Sequence, residues 1–340
     1  MSGRVLIINT GGTLSMKPTA DGYIPSSGFL ADQMSQMSEL EQAPMPEFEI
    51  LEHDPLIDSS DVTPDVWMRI ANEIRTNMNR FDGFVVLHGT DTMAYTASAL
   101  AFAMQGLPKP VILTGAQLPL GQIRNDAREN LKTAMVMAAN SPIAEIGLYF
   151  GDHLYRGCRS TKVSATSFDA FGSPNFPPLA TVGTSISYHQ NYHKIDNADS
   201  LVVHPIQHSD VLAFRLFPGL GMDTFRHILR KPMKGIVIET YGDGNGPSRN
   251  PDFLSAIRES VDNGMVIMGC TQCLHGGMTQ AGYAAGTALT KAGVIPGWDM
   301  TIEACVTKML YLFSQGISND EVKTRLGENL VGELTIPTGS

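Results

Sequence analysis

The sequence predicts an α/β protein of two domains. The larger N-terminal domain is a doubly wound, mainly parallel sheet, and the smaller C-terminal α/β domain also has a parallel sheet. Three observations predict it. Short β-branched runs alternate with helical patterns in the first half of the chain, a polar segment breaks the alternation, and the alternation then resumes.

The runs Val5–Asn9, Gly83–His88, Val111–Thr114 and Ile146–Phe150 are near-continuously apolar, as strands covered on both faces are. Between them Thr63-Pro64-Asp65 offers an N-cap, a first-turn proline and a first-turn acid. The helix that follows sets Trp67, Ile70, Ala71, Ile74 and Met78 on one face. Thr92–Gln105 and Asn125–Asn140 read as further helices. From about Thr184 to Asp210 the chain turns polar and aperiodic, so domains are expected at 1–185 and 211–340 with a linker at 186–210. Beyond it come strands Val211–Leu216, Gly235–Thr240 and Met265–Gly269. Helices are expected at Met222–Leu229, Met300–Ser314 and Asp320–Leu330.

With 340 residues, 43% hydrophobic and 17% charged, the chain can bury two cores. A formal net charge of −10 without long runs of like charge speaks against a nucleic-acid partner, which needs a concentrated basic surface. No apolar stretch approaches the roughly 18 residues of a membrane span, and the first apolar run, Val5–Ile8, is too short for a signal-peptide core. A cytoplasmic location with reduced cysteines is therefore expected. Cys270-Thr-Gln-Cys273 has the spacing of a redox pair or half a zinc site. It lacks a second ligand pair and ends an apolar run, so these read as strand-end thiols. The histidines show no metal-binding spacing, and neither metal nor cofactor is expected.

Several candidate loops stand where strands end, the place open parallel sheets bind ligands. Thr10-Gly-Gly-Thr13 follows the first strand: its glycines permit a sharp turn, and Thr13 would project into the crevice. It fits neither the dinucleotide Gly-x-Gly-x-x-Gly pattern nor the phosphate loop. His88-Gly-Thr-Asp-Thr-Met93 puts the hydroxyl of Thr90 and the carboxylate of Asp91 before a helix N-terminus. There they could serve a ligand or merely cap the helix. His88 reads as a strand-end structural histidine. Asp58-Ser59-Ser60-Asp61 could hold the charged ends of an amino acid or form an ordinary turn. Lys162 could act as a base if burial kept it neutral, although a lone lysine after a strand is ordinarily solvated.

Together these segments resemble the asparaginase/glutaminase family, and within it the cytoplasmic type I bacterial branch. Val5–Ser15 is similar to the signature around the family's nucleophilic threonine, with Leu14 where isoleucine or valine is usual. Asp82–Ala97 matches the second signature throughout. Gly22-Tyr23-Ile-Pro25, Asp58-Ser-Ser60, Arg159-Ser-Thr-Lys162 and Gly244-Asn245-Gly246 follow in the expected order. The resemblance implies Thr13 as nucleophile on the side-chain amide of L-asparagine, with Tyr23 on a mobile lid, Met16–Phe29. It implies Thr90, Asp91 and Lys162 as a second catalytic set. Asp58, Ser59, Ser60, Thr90 and Asp91 would bind substrate, and either Tyr23 or Lys162 would activate Thr13. It also implies a homodimer or homotetramer, with Asn245 contributed by a neighbour. A second, regulatory asparagine site would lie near Thr161, Glu239 and Cys273. That branch carries arginine where Glu239 stands, and a carboxylate there would alter what the site prefers.

The rival expectations are a glutaminase-asparaginase of broader specificity, an ammonia-supplying subunit for tRNA-dependent amidation, and a non-catalytic amino-acid sensor. The acidic charge argues against an RNA partner. Retention of the whole set Thr13, Tyr23, Thr90, Asp91 and Lys162 argues against a pure sensor, which would not need it.

Overall fold

Strand β1 (Arg4–Gly11) carries Val5, Leu6, Ile7 and Ile8, all but sealed from solvent although neighbours in a strand point to opposite faces. A sheet with both faces covered explains this, and the molecule has one. The computed structural model describes residues 3–20, 22–194, 200–230, 232–278 and 284–336, and the chain divides into two units, Met1–His204 and Pro205–Ser340.

Between β1 and the next sheet strand, a hairpin of β2 (Met16–Thr19) and β3 (Gly22–Pro25) leads into helix α1 (Phe29–Ser35). Strand β4 (Glu47–Ile57) is followed by helix α2 (Pro64–Asn77), strand β5 (Gly83–Leu87), helix α3 (Met93–Ala103), strand Val111–Thr114 and helix α4 (Ala127–Asn140). The first unit's eight-stranded sheet runs, edge to edge, Ile186–Tyr188, Ala180–Val182, His153–Arg156, Ile146–Phe150, Val111–Thr114, β5, β1, β4. From Ile146–Phe150 to β4 every pairing is parallel; the remaining strands join antiparallel.

The predicted strands and helices of this unit are present, with ends shifted by a few residues. Trp67, Ile70, Ala71, Ile74 and Met78 are all buried. Thr63 stands extended before α2, but its side chain makes no cap bond, leaving Pro64 to start the helix. The stretch read as a linker differs from that expectation. Ile186–Tyr188 forms the far edge of the sheet and Val202–Val203 pairs with Met104–Gln105, so the unit boundary falls at His204. Edge strands tolerate polar residues, which is why this segment does not read as sheet. The same reason hides β4, whose Glu47, Glu49 and Glu52 interrupt its apolar pattern. Residues 195–199 of that stretch lie outside the described residues.

The second unit holds four parallel strands in the order Val211–Arg215, Gly235–Thr240, Val266–Thr271, Ile295–Pro296. Its core includes Phe225 stacked on Phe253 at 4.8 Å between ring centres. The helix Ile302–Phe313 buries Lys308 completely, with Nζ 2.6 Å from Glu333 Oε1, itself fully buried. Lys308 also donates to the carbonyls of Leu326 and Glu328, and Glu333 accepts from the amides of Leu330 and Val331. The pair fastens the C-terminal segment to that helix.

Candidate active site

β4, β1 and β5 are sheet neighbours in that order, so the loops at their C-terminal ends lie side by side. They carry Asp58–Ser60, Thr13 and Thr90–Asp91. The loops touch through glycine. Gly12 has φ 81°, and a Cβ on it would lie 2.4 Å from the amide nitrogen of Gly89. A Cβ on Gly89 would lie 2.5 Å from Ser59 Oγ. Only backbone fits there, which brings the three loops into contact. Thr92 Oγ1 ties them further, donating to the Ser59 carbonyl at 2.6 Å.

Thr13 opens a single 3₁₀ turn, Thr13–Ser15, half-exposed just past the C-terminal end of β1, with Leu14 and Ser15 buried. Asn9, at the end of β1, holds this turn. Its Oδ1 accepts from Ser15 Oγ at 2.7 Å and from Gly11 N at 3.2 Å.

Thr90 and Asp91 do not cap α3, whose N-cap position is taken by Thr92. They turn to Lys162 instead. Its Nζ donates to Thr90 Oγ1 at 2.8 Å and to Asp91 Oδ1 at 2.7 Å, while Thr90 Oγ1 donates to Gln117 Oε1 at 3.3 Å. Sequence reasoning misses Gln117. It is held by its own amide against the Asp126 carboxylate and by Nε2 donating to the Ser167 carbonyl. A glutamine three residues past a strand end carries no distinctive signal, so only the fold reveals it.

Asp58 turns one carboxylate oxygen inward to its own loop, accepting from Ser60 N and Ser60 Oγ, each at 2.9 Å. Ser59 is buried between loops, whereas Asp58 and Ser60 face solvent. Tyr23 lies on the hairpin, 44% exposed, with Oη accepting from Gln122 Nε2. The segment expected as a lid forms a hairpin, with Tyr23 on its second strand, β3, and its hydroxyl engaged by the loop that follows Gln117.

His88 is sealed beneath the site. Nδ1–H donates to the Gly89 carbonyl at 2.7 Å, Nε2 accepts from Thr96 Oγ1 at 2.9 Å, and Thr96 Oγ1 accepts from Trp67 Nε1 at 3.1 Å. Burial pushes its pKa down to about 4 from 6.5. A histidine so placed is neutral at physiological pH and shapes the Gly89 turn.

Asn245 follows Gly244 in the turn after Gly235–Thr240, its backbone bridged to Tyr241. Glu239, on that strand, is paired by Arg215 at 3.4 Å, and Cys273 is exposed just beyond Val266–Thr271. Thr161 belongs to the first unit, beside Lys162. Cys270, at the strand end as predicted, is buried and has its thiol pKa raised by its hydrogen bond with Cys305 and by burial. A cavity of about 760 Å³ in the second unit is lined by Arg226, Arg230, Lys234 and Glu259. It opens where Gly235–Thr240 and Val266–Thr271 begin, the end of a parallel sheet that does not ordinarily bind ligands. None of the predicted site residues lines it.

Comparison with known proteins gives the family. Residues 4–194 match the family model for the asparaginase N-terminal domain, and residues 210–326 that for the glutaminase/asparaginase C-terminal domain. The chain is 46% identical to L-asparaginase 1 of Escherichia coli strain K12 over 331 residues, covering 97% of this chain and 98% of that protein. The crystal structure of L-asparaginase I from Vibrio cholerae superposes with a TM-score of 0.93 at 43% identity, covering 99% of this chain and all of the other. The thermostable L-asparaginase of Thermococcus kodakarensis gives 0.89 at 32% identity, covering 98% and 100%. With loops, fold and both domain matches in agreement, the chain belongs to the asparaginase family of amidohydrolases over nearly its whole length.

Proposed function

We propose that this chain hydrolyses the side-chain amide of L-asparagine to L-aspartate and ammonia, with Thr13 as nucleophile. The observation that carries the reading is the convergence of Thr13, Ser59, Thr90, Asp91 and Lys162 on the adjoining ends of β1, β4 and β5. Asp58, Ser59 and Ser60 hold the substrate's charged ends, and Asp91 receives its α-ammonium group.

A threonine hydroxyl needs a proton acceptor before it attacks an amide. Lys162 is already committed to Thr90 and Asp91. This supports assigning the first step to Tyr23, whose hydroxyl would leave Gln122 and reach Thr13, its Oη taking the Thr13 proton while passing its own to the leaving nitrogen. Ammonia departs and an aspartyl ester on Thr13 remains. Thr90 with Lys162 then directs water onto that ester, freeing aspartate. Loop amides beside Thr13 and Thr90 stabilise the oxyanion, worth about 3 kcal/mol per donor in comparable sites.

Full occupancy of the site is proposed to require a homodimer or homotetramer, with Asn245 supplied by a neighbouring copy. The four free cysteines suit a cytoplasmic protein, and among the described residues no helix is long and apolar enough to cross a membrane. An effector role for Thr161, Glu239 and Cys273 is a separate proposal. A sigmoidal dependence of rate on asparagine supports it, and a strictly hyperbolic one removes it.

The deciding experiment is ammonia release from L-asparagine and L-glutamine, comparing wild type with Thr13→Ala. Loss of about 10⁴-fold or more in the variant supports the nucleophile. A comparable glutamine rate would make the enzyme a glutaminase-asparaginase. No release from either amide, with asparagine still bound, would make the protein a sensor.

A further inference from the structure

Asn9 is a fully buried amide at the end of an otherwise apolar run, and a buried amide must find partners for both its ends. Its Oδ1 faces forward to the nucleophile turn, accepting from Gly11 N and Ser15 Oγ, the residues that bracket Thr13. Its Nδ2 faces sideways to the neighbouring strand, donating to Glu52 Oε2 at 2.9 Å in direct register with it.

The other oxygen of Glu52 is equally occupied. Oε1 accepts from Ser27 Oγ at 2.7 Å and from Gly28 N at 2.9 Å, where the β2–β3 hairpin ends and α1 begins. The Ser26 amide adds a bond to the Ser15 carbonyl at 3.2 Å. One carboxylate therefore grips the root of the hairpin with one oxygen and, through Asn9, the turn that presents Thr13 with the other.

We propose that Glu52 is a positioning residue for the reaction, acting through Asn9 to couple the placement of the Tyr23 hairpin to that of the Thr13 hydroxyl. This rests on the reading of Thr13 as nucleophile. The chemistry of the link is directional. Only an acceptor at Glu52 Oε2 makes Asn9 turn its NH₂ aside and its carbonyl towards Gly11 and Ser15. If Asn9 flipped, its NH₂ would meet the Gly11 N–H, donor against donor. Glu52 has to be an acceptor on both oxygens, because the Gly28 amide can only donate.

Glu52→Gln keeps the shape and breaks one link whichever way the new amide turns, towards Asn9 or towards Gly28. A nucleophile displaced by a fraction of an ångström to about 1 Å loses turnover steeply, so kcat should fall about 10–100-fold while KM changes little. Asn9→Asp alone should also fail, since two carboxylates would face each other. The double variant Asn9→Asp/Glu52→Gln restores every bond with donor and acceptor exchanged across the one link. Its carboxylate on β1 accepts from the new amide on β4, from Gly11 and from Ser15. The carbonyl of that new amide still accepts from Ser27 and Gly28.

The experiment is steady-state kinetics on asparagine for the two single variants and the double, with thermal melting of each. Two defective singles and a double that recovers most of the lost kcat establish the coupling. Wild-type kcat in Glu52→Gln overturns it. A double no better than the singles, with lowered melting temperatures in all, also overturns it and leaves Glu52 as scaffold only. Thr13→Ala measured alongside keeps the two readings apart. If that variant still turns over, the nucleophile assignment has failed. If it is dead while Glu52→Gln is unaffected, the coupling alone has failed.

Discussion

The Lys162 ammonium stands 2.8 Å from the Thr90 hydroxyl oxygen and donates to it. If the proposed mechanism holds, this bond assigns the lysine to the second threonine, and the two halves of the reaction can be separated by substitution. Lys162→Met is expected to lower steady-state turnover by about 10²–10⁴-fold while still releasing one equivalent of ammonia rapidly, as the ester forms and stalls. Tyr23→Phe should slow that first release instead. Rapid-quench measurement of ammonia distinguishes them, and a Lys162→Met enzyme without the initial burst would return the lysine to the first step.

Gly12 faces the backbone of Gly89 with no room for a methyl group. Gly12→Ala adds a close contact to an unfavourable φ, and overpacking of this kind costs about 1–3 kcal/mol. The expected outcome is a melting temperature lowered by several degrees and asparagine turnover nearly abolished. An alanine enzyme with normal kinetics would show that the two loops need not touch.

His88 supplies a pH-dependent contribution to stability. Its pKa in the fold, about 4, lies below its ordinary 6.5, so the unfolded chain binds the extra proton first as pH falls. Stability should be intact above pH 6.5 and decline between about 6.5 and 4, by up to about 3 kcal/mol from this residue. Urea unfolding at several pH values measures it, and His88→Gln should flatten that part of the profile.

Lys308 and Glu333 form a buried pair, and removing one partner strands the other. Lys308→Met is expected to destabilise the protein by about 3–5 kcal/mol. The measurement is chemical denaturation of the variant against wild type. A change below about 1 kcal/mol would mean that the C-terminal segment is held by its apolar contacts alone.

What is legible in the sequence depends on whether a residue's role is set by its near neighbours or by distant ones. The strands Val5–Ile8, Gly83–Leu87 and Ile146–Phe150 are covered on both faces, and such burial writes itself as an unbroken apolar run. The loops bearing Thr13 and Thr90 announce themselves through glycines that backbone contact demands. β4 and Ile186–Tyr188 are sheet edges, where solvent on one side permits glutamate, serine and tyrosine, and so they read as something else. Gln117 and Glu52 are equally silent. Their importance comes from partners distant in the chain, Ser167 for one and Asn9 for the other, which no local pattern encodes.

The strand that holds the hairpin root is the outermost of its sheet, bonded to β1 on one side only. Edge strands open locally at lower free energy than central ones. Warming should therefore release β4, and Glu52 with it, while β1, β5 and Val111–Thr114 remain paired. Inactivation on heating would then precede loss of the ellipticity of the sheet and be reversed on cooling, so that the enzyme switches off before it melts.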